Sequence, residues 1–304
     1  MSEFSLKIRG VRGSYPKADI DFLKYGGNTA CVEVNVGGHV IILDAGTGII
    51  SAGDDLLQEH LVSAVSPQER TPISTTILLS HIHQDHLQGI TFFKPIHLES
   101  SKIHVFGQVN ESENLKEELS NILFGKAFPL DLKDITSNLN INNVTKEQII
   151  ILRHGCDPIL TTSTENLLWD DVVIQNYKSY AHPQDGVVIY KISYKGKTLV
   201  YATDKESYLG GDKKLIDFAR NCNVLIHDAQ YTTEDYLNTY SPKQGYGHST
   251  FDMALDVQRQ TNAEKLIFFH FDPSYDDQKM DRIAEQYASS NVIVANEGLV
   301  VDIL

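Results

Sequence analysis

Apolar and polar positions along the chain fall into short alternating runs separated by glycine and proline, the pattern of a β-rich fold. Residues 5–10 predict a strand, followed by the turn-rich stretch Val11-Arg12-Gly13-Ser14-Tyr15-Pro16. Residues 30–36 alternate well, Gly37-Gly38 supplies a hairpin turn, and His39-Val40-Ile41-Ile42-Leu43 predicts the returning strand. Asp44-Ala45-Gly46-Thr47-Gly48 then breaks the sheet and leads into a helix from Ile49. Thr75 to Leu79 is β-branched and apolar, hence a buried strand, and Ile103 to Phe106 predicts another. Residues 109–170 carry the weakest pattern: a helix over Asn110 to Phe124, a loop over Pro129 to Asp134, and a strand over Gln148 to Leu152. A second hairpin is expected from Val187 to Tyr194 and Thr198 to Tyr201, turning at Gly196. Asp212 to Asn221 predicts a helix and Asn223 to Ile226 a buried strand. Ser249 with Asp252 reads as a capping box, behind which Phe251, Ala254, Leu255 and Gln258 follow a helical period. Leu266 to Phe269, Val292 to Val294 and Leu299 to Ile303 predict strands, with a helix over Asp281 to Ala288.

Composition narrows the class. The 304 residues are 41% hydrophobic, enough for a large core, and no apolar run approaches the ~20 residues that span a bilayer. The opening MSEFSLKIRG lacks the apolar stretch of a secretory signal, and three cysteines with no paired spacing make a disulfide framework or a zinc ribbon untenable. A cytoplasmic location is therefore expected, with no membrane partner. The formal charge of -14 repels a polyanion over most of the surface, and no strong basic patch is visible in the sequence. Long nucleic acid is not an expected partner. A small anionic substrate remains acceptable, because bound cations reverse the local field.

The densest chemistry follows the strand at 75–79. His81-Ile82-His83-Gln84-Asp85-His86 puts three imidazoles and a carboxylate within six residues. Such nitrogen and oxygen donors suit two adjacent divalent cations. They fall at the carboxyl end of a buried strand, where layered α/β folds place their sites. Residues 81 and 83 can point one way into a pocket while Asp85 and His86 curl back to a second position. Ligand-type residues recur at other strand exits: His182 in Ala181-His182-Pro183, Asp204 after Leu199-Val200-Tyr201-Ala202-Thr203, and His270 after Leu266-Ile267-Phe268-Phe269. Asp44 and Asp228 also follow apolar strands, where a carboxylate either holds the free nitrogen of a ligating histidine or caps a turn. His227 and His154 are expected to lie outside the site. Tyr246, close to His248, offers either an aromatic face to a base or sugar or a packing role.

With these residues in view, the chain resembles the metallo-β-lactamase superfamily, whose signature is His-x-His-x-Asp-His with a later histidine, a bridging aspartate and a final histidine. The likeness is greatest to the branch holding tRNA 3′-processing endonucleases, a bacterial cyclic-phosphate phosphodiesterase of phosphonate breakdown, and cyclic-nucleotide phosphodiesterases. It extends from Val11–Pro16 through Tyr25-Gly26-Gly27-Asn28-Thr29, Leu43–Gly48, the metal run, Tyr201–Asp204, Ile226–Tyr231 and Gly247–Thr250 to His270-Phe271-Asp272-Pro273. The resemblance implies an α/β fold, an αββα sandwich of two mixed β-sheets flanked by helices. It implies one cation on His81, His83 and His182 and another on Asp85, His86 and His270, with Asp204 bridging them. Zinc is the expected metal, with manganese as the other candidate. A hydroxide bridging the pair would attack phosphorus, which brings Asp85 and Asp204 into the catalytic set. His248, in Gly247-His248-Ser249-Thr250, would protonate the leaving alkoxide.

The expected activity is thus a phosphodiesterase acting on a small cyclic nucleotide or cyclic ribose phosphate. A lactam, lactone or thioester hydrolase, an RNA 3′-end endonuclease and a non-catalytic binding protein stay open as alternatives. Residues 185–203 are too short for the arm with which many tRNA-processing relatives grip tRNA. With no low-complexity linker, one domain is expected over residues 1–304, with 109–170 as a cap or dimerisation insertion. A homodimer is expected from the resemblance and from the prevalence of symmetric pairs.

Overall fold

The computed structural model describes residues 2–110, 113–125, 128–208 and 210–304. In chain order, β1 (Phe4–Gly10), β2 (Cys31–Val36) and β3 (His39–Leu43) precede α1 (Ile49–Val62). Then come β4 (Ser74–Leu78), β5 (Lys102–Gly107), α2 (Leu115–Leu123), β6 (Asn138–Asn143), β7 (Ile149–Leu152) and β8 (Ile159–Thr161). Next are β9 (Val172–Ser179), β10 (Val187–Tyr194), β11 (Lys197–Ala202), α3 (Lys213–Phe218), β12 (Val224–Asp228) and α4 (Thr233–Tyr236). The chain closes with α5 (Phe251–Thr261), β13 (Lys265–Phe269), α6 (Asp277–Tyr287), β14 (Val292–Val294) and β15 (Val300–Asp302).

Two mixed sheets result. One runs β15-β1-β2-β3-β4-β5-β6 and the other β14-β13-β12-β11-β10-β9-β7-β8. In the first, β3 to β6 are parallel; in the second, β11 to β14 are. Alternation explains the dense apolar runs. In β3, Ile41 and Leu43 face the layer between the sheets, whereas Ile42 turns outward to meet Ile49, Ala52 and Leu56 of α1. In β4 and the residue after it, Leu78 points inward while Ile77 and Leu79 point outward. Both faces are covered, so both parities must be apolar. On the far side, Phe251 of α5 packs edge-on against Phe268 of β13, with ring centroids 5.1 Å apart. The architecture is the expected α/β sandwich of two mixed sheets flanked by helices.

Several elements differ from expectation. The helix predicted over Asn110 to Phe124 is shorter, because Asn114 caps it by accepting from Lys116 N at 2.9 Å; Glu111 and Ser112 lie outside the described residues. Within residues 109–170, β6 joins the edge of one sheet and β7 and β8 the edge of the other; Lys126 and Ala127 also lie outside the described residues. The helix at 251 is capped by Thr250, whose Oγ1 accepts from Met253 N at 3.2 Å. Ser249, expected as that cap, is instead used inside the fold: its Oγ donates to Lys205 O at 2.5 Å and accepts from Ser207 N at 2.9 Å.

Candidate active site

The parallel strands end at one edge of the sandwich, and the polar residues collect there. Asp44 follows β3, the His81–His86 run follows β4, His182 follows β9, and Asp204, Asp228 and His270 lie at the ends of β11, β12 and β13. Backbone geometry sharpens these exits: Asp44, Asp204 and His270 all adopt left-handed φ values of 58°, 48° and 66°. That region is uncommon for residues other than glycine, and the sharp bend it makes aims each side chain back across the strand ends.

The run after β4 is shaped by hydrogen bonds. A 3-10 turn over Gln84–His86 reverses the chain, with His86 N donating to His83 O at 3.1 Å. Leu87 then plugs into the core beside Ile90 and Phe93. The turn divides the run in two. His81 and His83 gather with His182, while Asp85 and His86 gather with Asp204 and His270. In each group the ligand-type atoms lie within 4.8 Å of one another. Asp204 belongs to both sides: Oδ1 is 3.2 Å from His86 Nε2 and from His270 Nε2, and Oδ2 is 3.7 Å from His81 Nε2 and 3.9 Å from His182 Nε2.

The second nitrogen of several imidazoles is already committed, which orients the first. His86 Nδ1 donates to Asp44 Oδ2 at 2.8 Å, and His182 Nδ1 donates to Gly247 O at 3.1 Å. His81 Nδ1 donates to Ser80 Oγ at 3.0 Å, and that hydroxyl donates to Asp44 Oδ2 at 2.7 Å. Asp44 also accepts from Ser80 N at 2.7 Å and Tyr201 OH at 2.8 Å. Asp228 plays the matching part opposite: Oδ2 accepts from His248 Nδ1 at 2.8 Å and lies 3.6 Å from His270 Nδ1. Asp44 and Asp228 therefore hold histidines, whereas His227 bonds its own neighbour's carbonyl, Asp228 O, at 2.7 Å and is packed away. His154 stacks on His39, far along the chain from this edge.

The donor set fits cations. Imidazole nitrogens approach each other at 3.1 Å (His182 Nε2 to His83 Nδ1) and 3.2 Å (His86 Nε2 to His270 Nε2), so opposed lone pairs need a proton or cation between them. His81 Nε2 is buried with no hydrogen-bond partner among the described residues, a cost that ligation removes. Electrostatics agree. Burial drives His81 well below the ordinary imidazole value and His182 down to about 4, so both present neutral nitrogens. Burial would raise the Asp85 and Asp204 carboxyls, but the surrounding histidines hold both below the usual range. Burial also opposes charge on His86, yet Asp204, Asp85 and Asp44 raise its pKa well above normal. The side around Asp85, Asp204 and His86 thus favours positive charge, while His81 and His182 offer neutral nitrogens.

Loops pack tightly over this edge. A Cβ on Gly13 would stand 2.4 Å from the His270 ring, and the next residue's amide, Ser14 N, donates to Asp85 Oδ2 at 2.7 Å. Gly247, at φ 88°, has no room for a side chain because a Cβ would meet His182 Nδ1 at 2.3 Å. The His248 ring stacks on His270 with centroids 5.1 Å apart and 13° between planes, and stands edge-on to His182. Ser80, Tyr201 and the Ser14 amide were not singled out in the sequence; only the placement of Tyr201 two residues before an exit could have drawn attention to it. Tyr246 is half exposed, with the Lys243 ammonium 5.4 Å from its ring centroid.

Fold and donor clusters together define a metal-dependent hydrolase. The family model described as a β-lactamase superfamily domain matches residues 39–271, and the chain belongs to the metallo-β-lactamase superfamily. It is similar to ribonuclease Z of Picrophilus torridus, 24% identical, with 91% of this chain and 88% of that protein covered. Among solved structures it is similar to the metallo-β-lactamase fold protein YhfI of Bacillus subtilis, with a TM-score of 0.65, 18% identity and 98% of each chain covered. It is also similar to a diphosphatase from the PhnP family, with a TM-score of 0.63, 15% identity, and 98% of this chain and 96% of that one covered.

Proposed function

We propose that the protein is a dinuclear metal-dependent phosphodiesterase that hydrolyses a small cyclic nucleotide or cyclic ribose phosphate. The observation that carries this reading is the His248–Asp228 pair, set against His270 and His182 at the edge of the donor groups. His81, His83 and His182 would hold one cation and Asp85, His86 and His270 the other, with Asp204 shared. When bound, such a pair supplies a nucleophile at neutral pH and stabilises charge developing on phosphoryl oxygens. Zinc is the metal proposed, with manganese the alternative.

The chain's own residues supply the rest. Asp44 fixes the His86 ring directly and the His81 ring through the Ser80 hydroxyl, and the Gly247 carbonyl fixes His182. Asp228 holds His248 by Nδ1, leaving Nε2 to give a proton to a leaving alkoxide. Burial would lower the His248 pKa, but the Asp228 carboxylate, with Asp204 and Asp85 beyond it, raises it above the ordinary imidazole value. A protonated donor at neutral pH is what a poor leaving group requires.

The test is a substrate panel with metal-replete protein, wild type and His248→Ala. It compares 2′,3′- and 3′,5′-cyclic nucleotides, a ribose cyclic phosphate, a precursor tRNA, a lactam and a thioester. At least one cyclic phosphate should be opened with kcat/KM above ~10⁴ M⁻¹s⁻¹. His248→Ala should keep its metal and lose roughly 10²–10⁴-fold in turnover on that substrate. Efficient turnover only of the lactam or thioester would reject the reading. A second reading, an RNA 3′-end endonuclease, is favoured by the name of the Picrophilus relative and by a cavity of about 520 Å³ whose walls include Lys146, Lys178 and Lys214. Cleavage of the precursor tRNA in preference to every cyclic phosphate would establish that one instead.

A further inference from the structure

Beside His182 the surface opens into a cavity of about 420 Å³, within the roughly 300–1,000 Å³ range of small-molecule sites. Tyr180, Pro183, Glu206, Tyr208 and Tyr236 are among its walls, and His182 joins it directly to the first donor group. A molecule reacting at that group therefore has this cavity within its reach.

The chemistry of the walls selects what fits. Two large aromatic rings stand at the rim: Tyr180, 78% exposed and carrying the Lys178 ammonium 5.8 Å from its ring centroid, and Tyr208, 59% exposed. Glu206, the one carboxylate among the described wall residues, has no oxygen to spare. Its Oε1 accepts from Tyr236 OH at 2.5 Å and Gly245 N at 2.8 Å, and its Oε2 accepts from Gly247 N at 3.0 Å. No lysine or arginine is among the described wall residues. Walls that carry flat aromatic surface and no cation of their own, with Lys178 only at the rim, suit a neutral planar ring better than a phosphate.

We propose that this cavity holds the nucleobase of a nucleotide, stacked against Tyr180 and Tyr208, while the phosphate lies at the donor groups. The inference rests on the phosphodiester reading and narrows it, because it selects nucleotides over a base-free cyclic ribose phosphate. Stacking on tyrosine tolerates any base, so both purines and pyrimidines are accepted, with the larger ring system held more tightly.

The experiment is calorimetric titration of the zinc-loaded protein with adenosine 5′-monophosphate, cytidine 5′-monophosphate and ribose 5-phosphate. The nucleotides should bind at least about tenfold more tightly than ribose 5-phosphate, and Tyr180→Ala or Tyr208→Ala should weaken nucleotide binding by about 5- to 150-fold. Ribose 5-phosphate should not respond to either substitution, and Tyr180→Phe and Tyr208→Phe should restore the wild-type affinity. Both side chains are exposed, so their removal leaves the core intact. Equal affinity for nucleotide and ribose phosphate, or nucleotide binding indifferent to both alanine variants, overturns the inference. The two readings fail separately. Tyrosine-dependent nucleotide binding without hydrolysis of any phosphodiester keeps the base cavity and rejects the phosphodiesterase. Equal hydrolysis of ribose cyclic phosphate and nucleotides, unaffected by the tyrosine variants, does the reverse.

Discussion

Four donors converge on the Asp44 carboxylate, and through them one side chain orients two histidines from the same run. Asp228 serves the opposite flank in the same manner, and its effect on His248 can be measured. His248 is held above its ordinary pKa by a neighbouring negative charge. As a proton donor it works while protonated, so turnover of a poor leaving group should fall as pH rises through that raised pKa. In Asp228→Asn the charge is gone while the shape is kept, and the alkaline limb of kcat should move to lower pH. An unmoved limb in a kcat–pH profile, with metal content unchanged, would remove the pair from the proton transfer. At this scale much was legible in advance, since the seven ligand-type residues are chemically distinctive and sit at strand exits. The partners of their second nitrogens were not. Asp44 and Asp228 look like any aspartate after a strand until the fold brings Ser80, Tyr201 and His248 to them.

Elements were legible where the hydrophobic period was strong and opaque where composition hid it. Strands β3, β4, β12 and β13 are apolar on both faces because a layer covers each side. Strand β6 reads Asn-Leu-Asn-Ile-Asn-Asn: Leu139 and Ile141 do alternate, but asparagine is depleted in strands, so composition hid a short period that pairing with β5 brings out. Strand β9 was also missed, although Val172, Ile174 and Tyr177 are buried, because the loop before it is rich in Ser, Thr, Asn and Asp. The capping motif before α5 was misplaced by one residue, since serine and threonine are adjacent there and both are good caps. That displacement has a consequence for stability. Thr250→Ala should cost about 1 kcal/mol, seen as a lower urea midpoint with unchanged slope, whereas Thr250→Ser should stay near wild type. Equal midpoints for Thr250→Ala and wild type would show that the cap contributes nothing.

The whole molecule is acidic, with a formal charge of -14, and among the described residues no helix is long and apolar enough to cross a membrane. Three-dimensional placement alters the picture of charge drawn from the linear sequence, because Lys146, Lys178 and Lys214 meet around one cavity although they are far apart along the chain. Elemental analysis combined with light scattering should find two ions per 34.0 kDa chain and a particle of twice that mass. One ion per chain would end the dinuclear assignment, and a concentration-independent monomer would end the expectation of a dimer. Chelation should lower the melting temperature by about 5 °C or more, because a ligand at 100 times its Kd contributes about 2.7 kcal/mol and each kcal/mol moves a domain of this size by about 2 °C. An unchanged melting temperature would mean that the donor groups hold no cation. Each group draws on both sheets: His83 and His182 are 99 residues apart along the chain, and His86 and His270 are 184 apart. A cation seated there is a rivet through the seam of the sandwich. The two layers could not part at that edge until it was released, so an ion that makes the edge reactive would also slow how the two halves come undone.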